Sequence, residues 1–284
     1  MNLTNEITII SEVLQLNESD LSKKLSVSLE TLNNWKFGRK GIGLANLEKV
    51  YSFAYDNGIV LNNIYEQLIK EEYENNHNIV LFHGAKRPFS MPIDFVANSK
   101  ATNDFGVGFY LGETFEQAAN YISVINQNIV FCFRLNLSGL RTYKFNVNTE
   151  WMIAIAYFRG WLDDYKDCPL IKKLIGKLSD YDVIIAPIAD NRMFDIIAEF
   201  VGNEITDEQC RHALAATNLG FQYVLKTNKA LANTNLLKEM FVCQKEKAYC
   251  LDDRVTLTNN GSQKVKIARI QYKNKGRYIE EILR

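Results

Sequence analysis

The sequence carries no excess of charge of either sign. Its 33 basic and 33 acidic residues cancel over 284 positions, which excludes a chain that grips nucleic acid by bulk charge alone. Long apolar runs are also missing. None approaches the roughly 18 residues that a membrane span needs, so no membrane partner is expected. The opening residues, MNLTNEITII, lack the basic start and cleavage-site pattern of a secretory leader, and a cytoplasmic protein is expected. Histidine is scarce, at three, and the five cysteines (Cys132, Cys168, Cys210, Cys243 and Cys250) are scattered. They are odd in number and never in C-x-x-C spacing, so neither a disulfide framework nor a metal site is expected.

What is there is an ordinary globular balance, 47% hydrophobic and 23% charged, with length enough for a small domain and a medium one. The most informative stretch is Asp104 to Tyr121, DFGVGFYLGETFEQAANY. Gly106 and Gly108 admit conformations closed to other residues and let another group approach the backbone. Thr114 followed by Gln117 is a capping-box signature and predicts a helix start. Tyr110 then ends a short strand, and Tyr121 lies about two turns into the helix. Two tyrosines so placed suit a flat heteroaromatic ligand held between their faces. Upstream, NIVLFHGAK (from Asn78) is a β-rich run that closes on His83-Gly84. A histidine there serves either as a satisfied structural residue or as a ligand contact.

Taken together these segments resemble the ADP-ribosyltransferase superfamily, on its poly(ADP-ribose) polymerase and diphtheria toxin side. The resemblance rests on His83-Gly84, Gly106-Val107-Gly108-Phe109-Tyr110 and Ala119-Asn120-Tyr121, in that order. More narrowly, about Ile79 to Phe241 is similar to a bacterial domain family of unknown function, number 3990, through DFGVGFYLG, DYDVIIAPIADNRMF and FQYVLKTNKAL. The superfamily implies two packed antiparallel sheets around an NAD cleft, and NAD as co-substrate without a metal. It implies that His83 bonds the adenosine ribose, that Gly84 pairs with the nicotinamide amide, and that Tyr110 and Tyr121 sandwich the ring. His83, Tyr110 and Gln222 would be the catalytic set. Gln222 stands where the superfamily usually has Glu; glutamine orients a hydroxyl but brings no charge, so transfer of a single ADP-ribose is expected rather than polymer synthesis. Asp190 and Arg192 follow a strand-like run: either one faces the cofactor phosphates or the acceptor, or they form a strand-end turn with an ion pair to a neighbour.

Residues 1–75 read as all helix. LSKKLSVSLETLNNWKFGRK (from Leu21) resembles the Cro/repressor (XRE) type of helix-turn-helix, with Ser22 and Ser26 in place of the usual Ala and turn Gly. If it binds DNA, Ser28, Glu30, Thr31, Asn33 and Asn34 lie near the major groove, and Lys36, Arg39 and Lys40 meet phosphates. Basic and acidic residues nearly balance up to Val60, so docking on a partner protein stays open beside DNA. Residues 78–244 mix short strands and helices without βαβ regularity, which argues α+β. Strands are expected from Arg141 to Phe145, Val183 to Pro187, Phe221 to Leu225 and Met240 to Gln244, among others, and helices over Thr149 to Phe158, Met193 to Glu199 and Asp207 to Ala216. Residues 245–284 form a basic extension in which KVKIARIQYK alternates basic and apolar positions. That pattern predicts a strand with one basic face, either a lysine-protected edge or a nucleic-acid contact.

Three readings of function follow. The first is a bacterial ADP-ribosyltransferase toxin of a toxin–antitoxin or phage-defence locus, with a small antitoxin as partner and a protein or nucleic acid as acceptor. The alternative is a DNA-binding regulator whose second domain senses NAD or ADP-ribose without turnover. The third is a pure interaction protein.

Overall fold

A computed structural model describes residues 3–86, 93–124, 128–189, 191–215 and 220–284. Five helices come first: α1 (Thr4–Val13), α2 (Glu18–Lys24), α3 (Leu29–Lys36), α4 (Leu44–Asp56) and α5 (Leu61–Tyr73). Asn17 caps α2 by accepting from the Asp20 N–H at 2.9 Å, and Ser28 caps α3 by accepting from Thr31 at 3.1 Å. Ser26, in the turn between them, has φ of 54°, so a serine holds the left-handed position that glycine would take more cheaply. Leu3, Ile7, Ile10, Leu32, Trp35 and Val50 close the core of this region, and Phe241 and Cys243 enter it from far along the chain.

The rest alternates strands and helices: β1 (Asn78–Lys86), α6 (Phe95–Asn98), β2 (Phe109–Gly112), α7 (Phe115–Ile122), β3 (Asn128–Asn136), β4 (Thr142–Lys144), α8 (Thr149–Phe158), α9 (Pro169–Leu178), β5 (Val183–Pro187), α10 (Asn191–Val201), α11 (Asp207–Ala215), β6 (Phe221–Leu225), α12 (Asn228–Ala232), β7 (Thr234–Met240), α13 (Gln244–Gln271) and α14 (Ile279–Leu283). The fold is α+β: a helical N-terminal region and a mostly antiparallel seven-stranded sheet with flanking helices. Among the described residues no helix is long and apolar enough to cross a membrane.

The strands do not form the two separate sheets that were expected. They make one sheet in the order β4-β5-β6-β2-β1-β3-β7, with only β4 and β5 parallel. Its two halves meet where β1 and β2 pair at Phe82 and Gly112. On one face both halves bury side chains in a common cluster, Leu81, Phe131 and Phe133 from one half and Leu111, Ile185 and Leu225 from the other. That shared core joins what would otherwise be two layers, and the ladder runs through. On the opposite face α7 and α5 cover β1 and β3, while α8 to α11 cover β5 and β6.

Two further expectations are corrected. The strand expected at Met240 to Gln244 ends at Met240, and Gln244 already begins α13. The strand expected in KVKIARIQYK is the end of that helix. Val265 and Ala268, three apart, are both buried, and Gln209 Nε2 donates to the Arg269 carbonyl at 2.9 Å. Burial at helical spacing thus outweighs the two-residue alternation.

Candidate functional site

The site lies at the seam between β1 and β2. One residue past the Phe82–Gly112 pairing, the His83 ring bonds across to β2: its Nδ1 is 2.8 Å from the Tyr110 carbonyl. A carbonyl only accepts, so Nδ1 carries the proton. Burial holds the imidazole pKa below its ordinary value, against the opposing effect of that bond, and the ring is neutral at pH 7. It also lies against Phe109, with centroids 4.6 Å apart. By strand alternation His83 faces the shared cluster, whereas Tyr110 and Gln222 face the helices.

Gly84 supports α7. A Cβ there would sit 2.5 Å from the Ala118 carbonyl oxygen and 2.7 Å from an Ile122 methyl, so the helix approaches β1 as closely as it does only because the side chain is missing. The helix starts as its sequence predicts. Thr114 and Gln117 form a reciprocal capping box, and Glu66 of α5 accepts from the Phe115 N–H at 2.9 Å. Tyr121 is the seventh residue of α7 and is 75% exposed. Among the described residues no ring contact joins it to Tyr110.

The Tyr110 hydroxyl is already engaged. It donates to the Gly106 carbonyl at 2.7 Å and accepts from the Phe105 N–H at 3.1 Å, and burial raises its pKa well above the usual phenol range. What Tyr110 offers a ligand is therefore its ring. Gly106 has φ of 70°, and a Cβ there would meet the Phe158 ring at 3.0 Å. Lys226 closes the same loop by donating to the carbonyls of Phe105 and Val107. Its burial pushes the ammonium pKa down to about 8.

Gln222 lies on β6 opposite Gly112 of β2 and Ala186 of β5. It is only 8% exposed. Its Nε2 donates to Asp104 Oδ2 at 3.0 Å and to the Pro187 carbonyl at 3.4 Å. Asp104 in turn pairs with Arg159 at 2.8 Å, and that guanidinium sits 3.3 Å from the centroid of the Phe194 ring. Asp104, Arg159 and Lys226 were given no role in the sequence reading. Asp104 stands directly ahead of the glycine loop, and that position is the one signal that marked it.

His83, Tyr110 and Gln222 thus come from three adjacent strands, with Gly84 and Tyr121 beside them at β1 and α7. Arg192 lies in the first turn of α10, half-buried, and Asp190 falls outside the described residues. The positions suggested for DNA lie far back in the chain, on and after α3. There the Ser28 hydroxyl caps its own helix and bonds Thr31 at 2.8 Å, Asn33 and Asn34 are half-buried, and Arg39 and Lys40 are exposed. Lys36 is paired with Glu18 at 2.6 Å. Tyr110 and Gln222 share one face of the sheet, and His83, on the other, is joined to them through the Tyr110 carbonyl.

Residues 79–236 match the family described as "Protein of unknown function (DUF3990)". No curated protein and no solved structure matches the chain.

Proposed function

The chain belongs to the DUF3990 family, and from that premise we propose that it is an ADP-ribosyltransferase that uses NAD as co-substrate and transfers a single ADP-ribose. One observation carries the reading: the strands that bear His83-Gly84, Tyr110 and Gln222 are neighbours in the sheet, with the His83 ring bonded to the Tyr110 carbonyl and Gln222 across from Gly112. The residues present fit NAD by their chemistry. The exposed Tyr121 ring and the half-buried Tyr110 ring offer flat faces to nicotinamide, Gln222 keeps an amide oxygen for a ribose hydroxyl, and His83, from the other side of the sheet, fixes the strand that carries Tyr110 by its bond to that residue's carbonyl.

In the transfer, the bond from ribose C1′ to the nicotinamide nitrogen breaks, and its electron pair leaves with nicotinamide. An acceptor lone pair then forms the new bond to C1′, and the acceptor proton passes to water. Holding the ring and the ribose lowers the barrier by positioning. A Gln in place of Glu orients the sugar without adding charge, which supports single transfer over polymer growth. An acceptor of protein or nucleic acid and a toxin role, with an antitoxin as partner, belong to this proposal.

Calorimetry with NAD and assays of nicotinamide release test it. Tyr121→Ala is expected to weaken NAD binding by roughly twofold to tenfold, as loss of a stacking face should. Gln222→Ala should lower turnover more than affinity, because it removes a contact that strengthens in the transition state. Unchanged affinity in the first variant and unchanged turnover in the second would reject the site.

A second reading is favoured by the turn at Ser26 and the capped helix after it. By that reading α2 and α3 form a DNA-binding helix-turn-helix and the second domain is an NAD or ADP-ribose sensor. It rests on Arg39 and Lys40, both exposed, as phosphate contacts. DNA affinity that falls with salt, and falls further in Arg39→Ala, would support it.

A further inference from the structure

We infer that Asp104 is the residue that positions Gln222 toward the NAD ribose, an inference that rests on the transferase reading above. A side-chain amide can turn over and exchange its oxygen and nitrogen ends. Here two acceptors decide which end points where. Asp104 Oδ2 at 3.0 Å and the Pro187 carbonyl at 3.4 Å take both protons of Gln222 Nε2. Oε1 is the end left over, and it makes no hydrogen bond among the described residues.

Asp104 is itself fixed. Its Oδ1 accepts from Arg159 at 2.8 Å, and Arg159 is held against the Phe194 ring. The side chains of Asp104 and Arg159 are 12% and 26% exposed, so water competes poorly for either. The relay from Phe194 through Arg159 and Asp104 therefore dictates that a carbonyl oxygen, not an amide nitrogen, meets the ligand. A carbonyl oxygen takes a hydroxyl group as its donor. Arg159 offsets the charge of Asp104, so the contribution is orientation and not charge. Asp104 also precedes the loop that Tyr110 and Lys226 hold, so the same contact ties that loop to β6.

A reciprocal exchange tests this. Asp104→Asn, Gln222→Glu and the double variant are compared with wild type in NAD affinity, nicotinamide release and melting temperature. Asp104→Asn weakens the acceptor that orients the amide, and release should fall roughly tenfold with a smaller change in affinity. Gln222→Glu alone sets two carboxylates against each other, and both melting temperature and release should drop. The double variant restores a donor–acceptor pair between positions 104 and 222 with its ends exchanged, though not the bond to the Pro187 carbonyl, and it should recover part of the melting temperature and release above both single variants.

Losses that simply add in the double variant overturn the inference. So does a folded Asp104→Asn that keeps wild-type release. A wild-type chain that neither binds nor cleaves NAD overturns the transferase reading instead. The melting temperatures then still judge the pair: recovery supports a fixed Gln222 awaiting another hydroxyl-bearing ligand, and additive losses reject it.

Discussion

At Tyr110 a single hydroxyl holds two backbone groups of the loop before it, the Gly106 carbonyl and the Phe105 N–H. Tyr110→Phe removes that partner from both and should cost about 1–3 kcal/mol, as the loss of a buried hydrogen-bond partner does. Thermal melting checks it. Lys226 gives a pH signature. Its ammonium pKa is about 8 in the fold and near 10.4 in an unfolded chain. Between those values the unfolded state binds more protons, so this group makes stability rise with pH across that window. Below pH 8 both states carry the proton, and the burial penalty is present in full. Lys226→Met should flatten the rise, as followed by denaturant midpoints from pH 7 to 10.5. Residue-scale features of this kind were only half legible in the sequence. His83, Tyr110 and Gln222 carried a motif. Asp104 did not, because its partner Gln222 is 118 positions away and no local pattern links them.

Elements were legible wherever a local rule governed them. The capping box at Thr114 and Gln117 announced α7, and the helices expected over Thr149 to Phe158 and from Asp207 correspond to α8 and α11. Helix α9 passed unread, although Pro169 opens it and Ile171, Leu174 and Leu178 recur at helical spacing and are buried. The end of α13 was misread because basic and apolar residues alternate there, and only its packing on α11 shows which period wins. The joining of the halves into one sheet was not legible, since it depends on a single pairing and on a core shared across the seam. Helix α7 supplies the test at this scale. Gly84→Ala would drive a Cβ to 2.5 Å from the Ala118 carbonyl, a backbone atom that cannot turn aside, whereas a Cβ at Gly41 meets nothing within 4 Å. The first change should cost roughly 1–3 kcal/mol and weaken NAD binding by displacing Tyr121. Gly41→Ala should change neither, and calorimetry beside melting curves compares the two.

Across the whole molecule, the helical region and the sheet are fastened together by buried polar groups. Asn62 donates to the Phe241 carbonyl and to Glu246, both at 2.8 Å, and Lys238 pairs with Glu6 at 3.2 Å. Burial raises the Glu246 pKa, opposed first by its bond with Asn62. Helix α5 reaches further, since Glu66 caps α7 and Lys70 donates to the Glu113 carbonyl at 2.9 Å. The region proposed to meet DNA or a protein thus touches the element that carries Tyr121. None of these links follows from sequence spacing, because each joins residues distant in the chain. The central claim remains the chemistry at the seam. Its most direct test is incubation of the purified chain with NAD labelled in the adenylate and a bacterial lysate, with Gln222→Ala and heat-treated protein alongside. The account predicts that label enters a protein or nucleic acid while nicotinamide is released, and that Gln222→Ala loses most of both signals. Label that stays wholly in NAD, with no nicotinamide released above the heat-treated control, would contradict it.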